Sequence, residues 1–336
     1  MISAIYLEDG LDKHPVARSV LARYPKAVRI PIPHYGEVFN RKAQNFRLQK
    51  RQPALILARK GGQATLPIPP HHGMGQRHNY YFSHFLNCPY DCRYCFLQGK
   101  YPSAHYVLFV NYEVFEAAID DRLSAHCGEE VGFFSGYDGD SLAMEPLTGF
   151  AEHFLAFFQT RGQGWLELRT KSTQIRTLLR RPPLANAVVA FSLTPSPLAA
   201  ALEHGAATLE QRVAALVALA RAGWSVGLRF DPLIYHPRFE ALYVELFAAV
   251  FDPLSQALGK GLPGLHSVSL GPLRWPKAYF QTLLRLYPDE PLLAGEFAER
   301  GGVVSYPLEV EAALGDFCRH QLLARVGAER LFAWEG

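Results

Sequence analysis

Three cysteines, Cys88, Cys92 and Cys95, are spaced as CxxxCxxC and lie within eight residues of one another. This spacing lets three thiolates converge on one metal cluster from a single compact loop. A [4Fe–4S] cube held by three cysteines keeps one iron free, whereas an electron-transfer cluster of this type has four cysteine ligands. A free iron can bind a substrate or a cofactor. The pattern therefore predicts an iron–sulfur centre that takes part in chemistry.

Two other interpretations of these cysteines stay open at this point. A structural zinc site uses a fourth protein ligand, which His84 or His105 could supply. Plain core cysteines need no ligand set, but neither alternative predicts this spacing on a loop that follows a strand. Cys127 and Cys318 are isolated in the sequence, and we expect both to be buried thiols.

Strands and helices must position this loop. Their sequence signals alternate regularly after residue 76. Strands that alternate with helices form a parallel sheet with buried strands. The clearest helix begins at a capping box formed by Thr208 and Gln211 and ends at Gly223. Six β/α units are suggested, which predicts a partial (β/α)6 barrel with its chemistry at the carboxyl ends of the strands. The predicted barrel strands are 80–86, 131–134, 165–169, 187–193, 225–230 and 265–270.

The α/β chain divides into three predicted regions. They are a small N-terminal α/β domain over 1–75, the barrel over 76–290, and an extension over 291–336 that packs on the barrel. The first region ends in a connector rich in Gly, Pro and His, residues 61–75. Its predicted elements are a helix near 16–23 and strands near 4–6, 28–32 and 54–58.

Composition excludes several classes of protein. With 49% hydrophobic and 19% charged residues, the chain is neither disordered nor fibrous. No run of about 18 uninterrupted apolar residues is present to span a bilayer, so we expect no membrane association. The N-terminus gains acidic residues before any long apolar stretch, which differs from a secretory signal and favours a cytoplasmic protein. Five cysteines are too few for a disulfide scaffold, which agrees with a reducing compartment.

Basic charge is concentrated near the N-terminus, although the net charge of the chain is only +3. Residues 18–90 contain twelve Lys and Arg against one acid, Glu37. Basic side chains interleaved with Phe, Asn and Gln are typical of a surface that contacts phosphates and stacks on bases, which predicts a nucleic-acid partner. A solvated face beside an acidic body is the alternative. The basic residues of this predicted surface include Arg41, Lys42, Arg47, Lys50 and Arg51.

The cysteine motif, with the aromatic Tyr94 just before its last cysteine, resembles the radical S-adenosylmethionine (SAM) superfamily. The longer string CxxxCxYCFLQ resembles one branch of it, the spore photoproduct lyase family of DNA repair enzymes. Similar segments follow in the same order along most of the chain. They are LRTKST at 168–173, FSLTP at 191–195, RFDPLI at 229–234 and RWPK at 274–277, with similar N-terminal stretches at 5–8 and 45–60.

This resemblance implies a partial barrel of the radical SAM type that binds a [4Fe–4S] cluster and SAM. In such proteins the amino and carboxylate groups of SAM chelate the free iron. One electron from the reduced cluster then releases a 5′-deoxyadenosyl radical that takes hydrogen from the substrate. The resemblance also implies a reductant, such as a flavodoxin or a ferredoxin, that reduces the cluster.

The resemblance places several residues around the cofactor. Lys171 suits the methionyl carboxylate as a point charge, and Ser192 follows a strand where its hydroxyl can bond the cofactor. Tyr94 is expected to pack against the adenosyl group, and Asp138 and Asp140 lie where the ammonium or the ribose is expected. The alternatives are an exposed lysine, an ordinary hydroxyl at a strand end, simple loop packing, and turn chemistry of the Asp-Gly-Asp run.

Two positions depart from the family pattern. Lyases of this family carry a hydrogen-donating cysteine after the second barrel strand, and this chain carries Tyr137 there. The second tyrosine of the family's relay is Phe96 here, which has no hydroxyl. The relay is therefore broken or rebuilt. Tyr137 and Tyr94 are the candidate catalytic residues, with the Tyr137 phenol as a substitute for the missing thiol.

The function predicted from these observations is a radical SAM enzyme that acts on a nucleic acid, with lyase-like repair of a DNA lesion as its most concrete form. Two alternatives stay open. One is radical SAM chemistry on a small molecule or a peptide, and the other is a non-catalytic, metal-containing protein that binds nucleic acid. Formation of 5′-deoxyadenosine separates an enzyme from a binding protein, and the salt dependence of DNA binding separates a nucleic acid from other substrates.

Overall fold

The computed structural model describes residues 2–69 and 73–333. Residues 70–72 of the predicted connector and the last three residues of the predicted C-terminal extension lie outside the described residues. The described residues form an eight-stranded and a five-stranded sheet, together with two small antiparallel sheets. Helices pack around the two large sheets.

The secondary-structure elements alternate along most of the chain. The strands are β1 (Ala4–Glu8), β2 (Val28–Ile32), β3 (Leu55–Ala58), β4 (Leu66–Pro67), β5 (His78–Tyr81), β6 (Phe85–Leu86), β7 (Asp91–Cys92), β8 (Tyr106–Phe109), β9 (Val131–Phe134), β10 (Gly164–Thr170), β11 (Ala187–Ser192), β12 (Glu203–His204), β13 (Ser225–Leu233), β14 (Leu265–Pro272), β15 (Arg274–Pro276), β16 (Ala298–Arg300), β17 (Val303–Ser305) and β18 (Leu331–Ala333). The α-helices are α1 (Pro15–Arg23), α2 (Gly36–Phe39), α3 (Phe46–Arg51), α4 (Leu97–Lys100), α5 (Tyr112–Ala125), α6 (Glu145–Thr148), α7 (Phe150–Phe158), α8 (Arg176–Leu179), α9 (Ser196–Leu202), α10 (Leu209–Arg221), α11 (Phe239–Leu258), α12 (Lys277–Leu286) and α13 (Leu308–Leu323), and two 3₁₀ helices lie at Pro291–Ala294 and Ala328–Arg330.

The larger sheet is the curled half-barrel. Its strand order is β18-β14-β13-β11-β10-β9-β5-β4, and the six strands from β5 to β14 in this order run parallel to one another. Helices connect consecutive parallel strands, as parallel pairing requires. These six units confirm the predicted α/β partial barrel, and β9 coincides with the predicted strand 131–134. The strands β9 and β11 show why the pattern was readable, because their residues are all buried and mostly apolar, as in a sheet that is covered on both faces.

The first barrel strand differs from the prediction of one strand over 80–86. The strand β5 ends at Tyr81, and Phe85–Leu86 forms β6, which pairs antiparallel with β8 in the other large sheet. Phe82 packs in the main core, while Phe85 packs in a separate core beneath the N-terminal sheet. The run 80–86 therefore contributes strands to two different sheets, and the prediction of a single strand is wrong.

The five-stranded sheet has the order β2-β1-β3-β8-β6 and contains the three strands predicted in the N-terminal region. Its strand β3 alternates between two cores: Leu55 and Leu57 belong to the same core as the buried residues of α1, while Ile56 and Ala58 belong to the main core. Because β6 and β8 come from beyond residue 75, the sheet does not end at the predicted boundary. The division of the chain into three regions stays a prediction.

Two helices test predictions made from the sequence, one on a capping box and one on membrane association. The capping box of α10 is present, since the Gln211 amide donates to the Thr208 hydroxyl at 3.3 Å and the Thr208 amide donates to the Gln211 side chain at 3.0 Å. Among the described residues, one helix, α11, is long and apolar enough to cross a membrane. It packs against α10 and α13 and buries Phe247 and Val250 in the main core. One face of α11 is therefore buried against the rest of the protein.

Candidate functional site

A cavity of about 710 Å³ opens at the carboxyl ends of the barrel strands. The last residues of β9, β10, β11 and β14 all line it, and this end of a β/α barrel is where functional groups gather. Its volume lies in the usual range of small-molecule and cofactor sites. The predicted site residues that line it are Cys88, Cys92, Tyr94, Cys95, Tyr137, Asp140, Lys171 and Ser192; Asp138 is not among them.

The cysteine loop is fastened at several points. Its short strand β7 pairs antiparallel with β12, which sets Cys92 opposite Glu203, and the Arg93 amide donates to the Leu202 carbonyl at 2.8 Å. Asn87 begins the loop with a φ of 68°, a left-handed conformation that asparagine tolerates better than most residues. Its side-chain amide donates to the carbonyls of Ser103 and His105, so this strained residue is held in place.

Lys50 fastens the same loop from the N-terminal region. Its Nζ donates to the Cys88 carbonyl at 2.8 Å and to the Tyr90 carbonyl at 2.9 Å. The sequence predicts Lys50 on a surface that contacts phosphates, and the structure instead engages its ammonium group inside the protein. Arg41, Lys42, Arg47 and Arg51 of that predicted surface are exposed.

The three cysteines lie on one wall of the cavity, and their thiols are suitable ligands for an iron–sulfur cluster. Burial raises the pKa of Cys92 well above its usual value and raises the pKa of Cys88 to about 12, so both thiols are protonated until a metal displaces the protons. Within residues 2–69 and 73–333, no three His, Cys, Asp or Glu side chains are arranged as a ready-made metal site. The three thiols nevertheless line the same cavity, which makes them candidate ligands.

Neither histidine considered as a fourth zinc ligand lines the cavity. The His84 ring is buried and stacked on Phe150 with ring centroids 3.5 Å apart. The His105 Nδ1 accepts a hydrogen bond from the Ala54 amide at 3.1 Å. The described wall of the cavity holds no histidine and no fourth cysteine, and this donor set suits a cluster with a free iron better than a zinc ion with four protein ligands.

The two remaining cysteines lie apart from the site. Cys318 is buried on α13, as predicted. Cys127 is exposed just after α5, so the prediction of a buried thiol is wrong there. The largely polar neighbours of Cys127, Ala-His before it and Gly-Glu-Glu after it, were a signal of exposure that the prediction did not use.

A buried carboxylate, Glu203, organises one side of the cavity. It accepts a short hydrogen bond from the Tyr94 hydroxyl, forms an ion pair with Arg212, and lies 3.9 Å from the Lys171 Nζ. Burial alone raises the pKa of Glu203, but Lys171, Arg212 and the Tyr94 hydroxyl together bring it below its usual value. The Tyr94 hydroxyl is thus engaged within the protein, and Lys171 is held between Glu203 and the cysteine loop.

The two aspartates of the Asp-Gly-Asp run have different surroundings. Asp140 accepts hydrogen bonds from the amides of Leu142 and Ala143, from the Thr170 hydroxyl at 2.6 Å, and from the Lys171 amide at 2.7 Å. It therefore fixes the backbone of the lysine at the cavity wall. The Asp138 carboxylate is buried, where Ser83 and Lys100 bind it. The structure does not bring Asp138 to the cofactor side.

Ser192 and Tyr137 both lie where the sequence predicts them, at the ends of their strands. The Ser192 hydroxyl accepts a hydrogen bond from Arg169 Nε at 3.3 Å. The Tyr137 ring lies 5.6 Å from the Phe96 ring, centroid to centroid, and 5.0 Å from the Lys100 Nζ. Burial raises the pKa of the Tyr137 phenol, and Asp138 raises it further.

Sequence reasoning missed the ion pairs that support the barrel end. Arg229 pairs with Glu167 at 2.6 Å inside the barrel, and Arg274 pairs with Asp231 at 2.9 Å at its rim. A charged residue within an apolar strand, as Glu167 is within β10, was an available signal for a buried pair. Glu203 has no comparable signal, because it stands in an ordinary Leu-Glu-His-Gly run after a helix.

Comparisons with known proteins agree with the geometry. A family model described as spore photoproduct lyase matches residues 78–292. The spore photoproduct lyases of Bacillus subtilis (strain 168) and of Geobacillus sp. (strain Y412MC61) are 26% identical over 170 residues and 25% identical over 161 residues. These matches cover 50% and 48% of this chain and 50% and 47% of the relatives, so the chain spans about half the length of the curated relatives it matches.

Solved structures show the same fold over the whole chain. A spore photoproduct lyase variant with bound AdoMet and dinucleoside spore photoproduct superposes with a TM-score of 0.83 at 18% identity, covering 99% of this chain and 98% of that one. Another variant of that lyase superposes with a TM-score of 0.85 at 19% identity, with the same coverage. The half-barrel and the N-terminal sheet are thus arranged as in those proteins.

Proposed function

The chain belongs to the spore photoproduct lyase family, and from this premise we propose that it is a radical SAM enzyme that acts on a lesion in DNA. The observation that carries the proposal is the position of the three CxxxCxxC cysteines on the wall of one cavity at the carboxyl ends of the barrel strands. The relatives named above support the same activity by their names, including the one solved with AdoMet and a dinucleoside spore photoproduct.

Cys88, Cys92 and Cys95 would hold a [4Fe–4S] cluster, and Lys171 and Ser192 would contact SAM. Together, the bound cluster and SAM supply a one-electron cleavage that yields a radical able to abstract hydrogen from the substrate. Lys171 offers a positive charge to the methionyl carboxylate, and Asp140 holds its backbone in place at 2.7 Å. Tyr94 acts through Glu203, which positions Lys171. Asp138 has a structural role in this proposal.

Tyr137 is the hydrogen donor that we propose for the end of the reaction. Its O–H bond breaks, and a C–H bond forms on the product radical, which leaves a tyrosyl radical on Tyr137. One electron from a flavodoxin or a ferredoxin, together with a proton, restores the phenol. Tyr137 lines the cavity next to Phe96, and this position supports the role.

The substrate surface includes the exposed basic residues Arg41, Lys42 and Arg51. Phe46 and Lys50 of the same segment line the cavity, and on this ground we place the exposed residues near its mouth. Cations there can hold the backbone of a DNA strand whose lesion enters the cavity. We place the enzyme in the cytoplasm, where a reducing environment keeps the thiols available.

The test is anaerobic reconstitution with iron and sulfide, followed by incubation with SAM, a reductant and a DNA oligonucleotide that contains spore photoproduct. We expect 5′-deoxyadenosine and repaired thymines in the wild type, and neither in a Cys92→Ala variant. 5′-Deoxyadenosine without repair of this lesion would move the proposal to another substrate, including a small molecule or a peptide. Absence of both, with a cluster bound, would contradict radical SAM activity.

A further inference from the structure

We infer that Lys50 is a positioning residue for the iron–sulfur cluster, which holds the cysteine loop from the N-terminal region and keeps a positive charge beside the cluster. The juxtaposition that points to it is one ammonium group within hydrogen-bond distance of two carbonyls of the cysteine loop. This inference deepens the proposed function, since it rests on a cluster bound by the three cysteines.

The hydrogen bonds of Lys50 reach two carbonyl oxygens of the cysteine loop. The Nζ lies 2.8 Å from the carbonyl oxygen of Cys88 and 2.9 Å from that of Tyr90. Hydrogen bonds from an ionised donor are stronger than those between neutral groups. A single side chain therefore ties the carbonyl of one predicted cluster ligand to the carbonyl two residues further on, which restricts the conformation of the loop between them.

The helix that carries Lys50 is itself firmly docked. The Asn45 side chain caps the start of α3 by accepting from the Leu48 amide at 3.0 Å. Phe46, the first residue of the helix, is buried. The Gln49 side chain accepts from the Ala104 amide at 2.9 Å, on the segment that follows the cysteine loop. The helix thus contacts the chain after the loop through Gln49 and the loop itself through Lys50.

The charge of Lys50 has a direct electrostatic consequence. Reduction adds an electron to the cluster, and the potentials of iron–sulfur clusters depend on nearby net charge and on hydrogen bonding. A cation next to a ligand residue stabilises the reduced state over the oxidised one. Lys171 approaches the loop from the barrel side, where Glu203 lies 3.9 Å from its Nζ and offsets part of its charge. The hydrogen-bond acceptors of Lys50 are neutral carbonyl oxygens, so neither of them cancels its positive charge. The charge of Asp140 acts on Cys88 in the opposite sense, and removal of the Lys50 charge would leave it unopposed by this lysine.

The central test compares Lys50→Met with Lys50→Arg and with Lys26→Met as the matched control. Met keeps most of the length of the stem and removes the charge and the donors, while Arg keeps the charge. Lys26 is an exposed lysine of the same N-terminal region. After anaerobic reconstitution, the midpoint potential of the cluster is measured by a redox titration followed by electron paramagnetic resonance, without SAM or DNA.

We expect Lys50→Met to lower the equilibrium constant for cluster reduction about tenfold, which is about 59 mV for one electron. Lys50→Arg should recover most of this change, and Lys26→Met should match the wild type. A Lys50→Met potential equal to that of the wild type would overturn the electrostatic role. A wild-type protein that takes up no cluster would contradict the proposed function itself, so the two failures are distinguishable.

A second measurement covers the case in which Lys50→Met takes up no cluster. Hydrogen exchange of residues 88–95 in the cluster-free protein reports how firmly the loop is held before any metal binds. We expect exchange there to be at least several-fold faster in Lys50→Met and unchanged in Lys26→Met. Equal exchange in the wild type and both variants would contradict the positioning role.

Discussion

The Tyr137 ring is stacked on the Tyr81 ring, with centroids 4.2 Å apart and planes inclined by 28°. Tyr81 ends β5 and pairs with Phe134 at the end of the neighbouring strand β9, so the two phenols meet because their strands end side by side. Burial raises the pKa of Tyr81 to about 12 and also raises that of Tyr137. Both phenols therefore keep their hydrogen at neutral pH.

This stack leads to the first prediction, on Tyr137→Phe. The substitution keeps the ring and removes the transferable hydrogen, so the repaired product should fall and aberrant radical-derived products should rise. Mass spectrometry of anaerobic reactions in deuterated buffer measures both. Tyr81→Phe is the matched control and should retain the yield, while Tyr137→Cys should restore part of it. Full yield with no aberrant products in Tyr137→Phe would exclude Tyr137 as the donor.

The second prediction concerns cluster content. Alanine at Cys88, Cys92 or Cys95 should reduce the iron of the reconstituted protein from about four per chain to near zero, because a three-cysteine cluster has no spare ligand. Cys127→Ala, at an exposed cysteine away from the cavity, should keep the full complement. Iron and sulfide analysis measures the outcome. Stoichiometric zinc without iron in the wild type would refute the assignment.

The third prediction concerns Lys171→Ala. Loss of a charge-assisted hydrogen bond to the methionyl carboxylate should weaken SAM binding by about 1.5 to 3 kcal/mol, while the cluster stays intact. Anaerobic calorimetry measures the affinity. Lys277→Ala removes an exposed lysine that is paired with Glu299 and should leave the affinity unchanged. Unchanged affinity in Lys171→Ala would show that the lysine does not bind the cofactor.

The fourth prediction concerns DNA binding by the exposed basic residues. Changing Arg41, Lys42 and Arg51 together to Gln should weaken binding and reduce the salt slope by up to about one unit for each phosphate that is no longer neutralised. The same change at Arg221, Lys260 and Arg319, which are exposed on the barrel side, should have little effect. Fluorescence anisotropy at several salt concentrations measures both. Equal slopes in the two triple variants would place the DNA elsewhere.

The fifth prediction concerns His84 and acid stability. Burial lowers its pKa from 6.5 to about 3, so between these values the unfolded chain binds a proton that the folded chain does not. Stability should therefore fall as the pH drops below 6.5, by up to about 1.4 kcal/mol per pH unit from this residue. His84→Leu should flatten the dependence measured by urea unfolding at pH 5 and pH 7, and His320→Leu, at an exposed position, should not. An unchanged slope in His84→Leu would assign the acid sensitivity to other groups.

The sequence predicts those residues of the cavity wall that belong to a short motif or follow the end of a predicted strand. The cysteine spacing is a local motif, and the resemblance assigns Lys171 and Ser192 at the ends of two predicted strands; all of these residues line the cavity. Asp138 and Asp140 are equivalent in sequence, and only their partners in the folded chain distinguish them. The position of Lys50 depends on hydrogen bonds between residues about 40 positions apart, which no local pattern reports.

The N-terminal sheet contains β6 and β8, which follow the first strand of the half-barrel in the chain. This arrangement has a consequence for folding. The N-terminal sheet needs β8, which pairs with β3 across about fifty intervening residues and ends only at Phe109. During synthesis, the first 75 residues therefore emerge before β8, the strand that pairs with β3, and the sheet can close only after the cysteine loop has also left the ribosome. Non-local pairing of this kind slows folding. The cysteine loop waits longer still for its own partner, because its strand β7 pairs with β12, Glu203–His204.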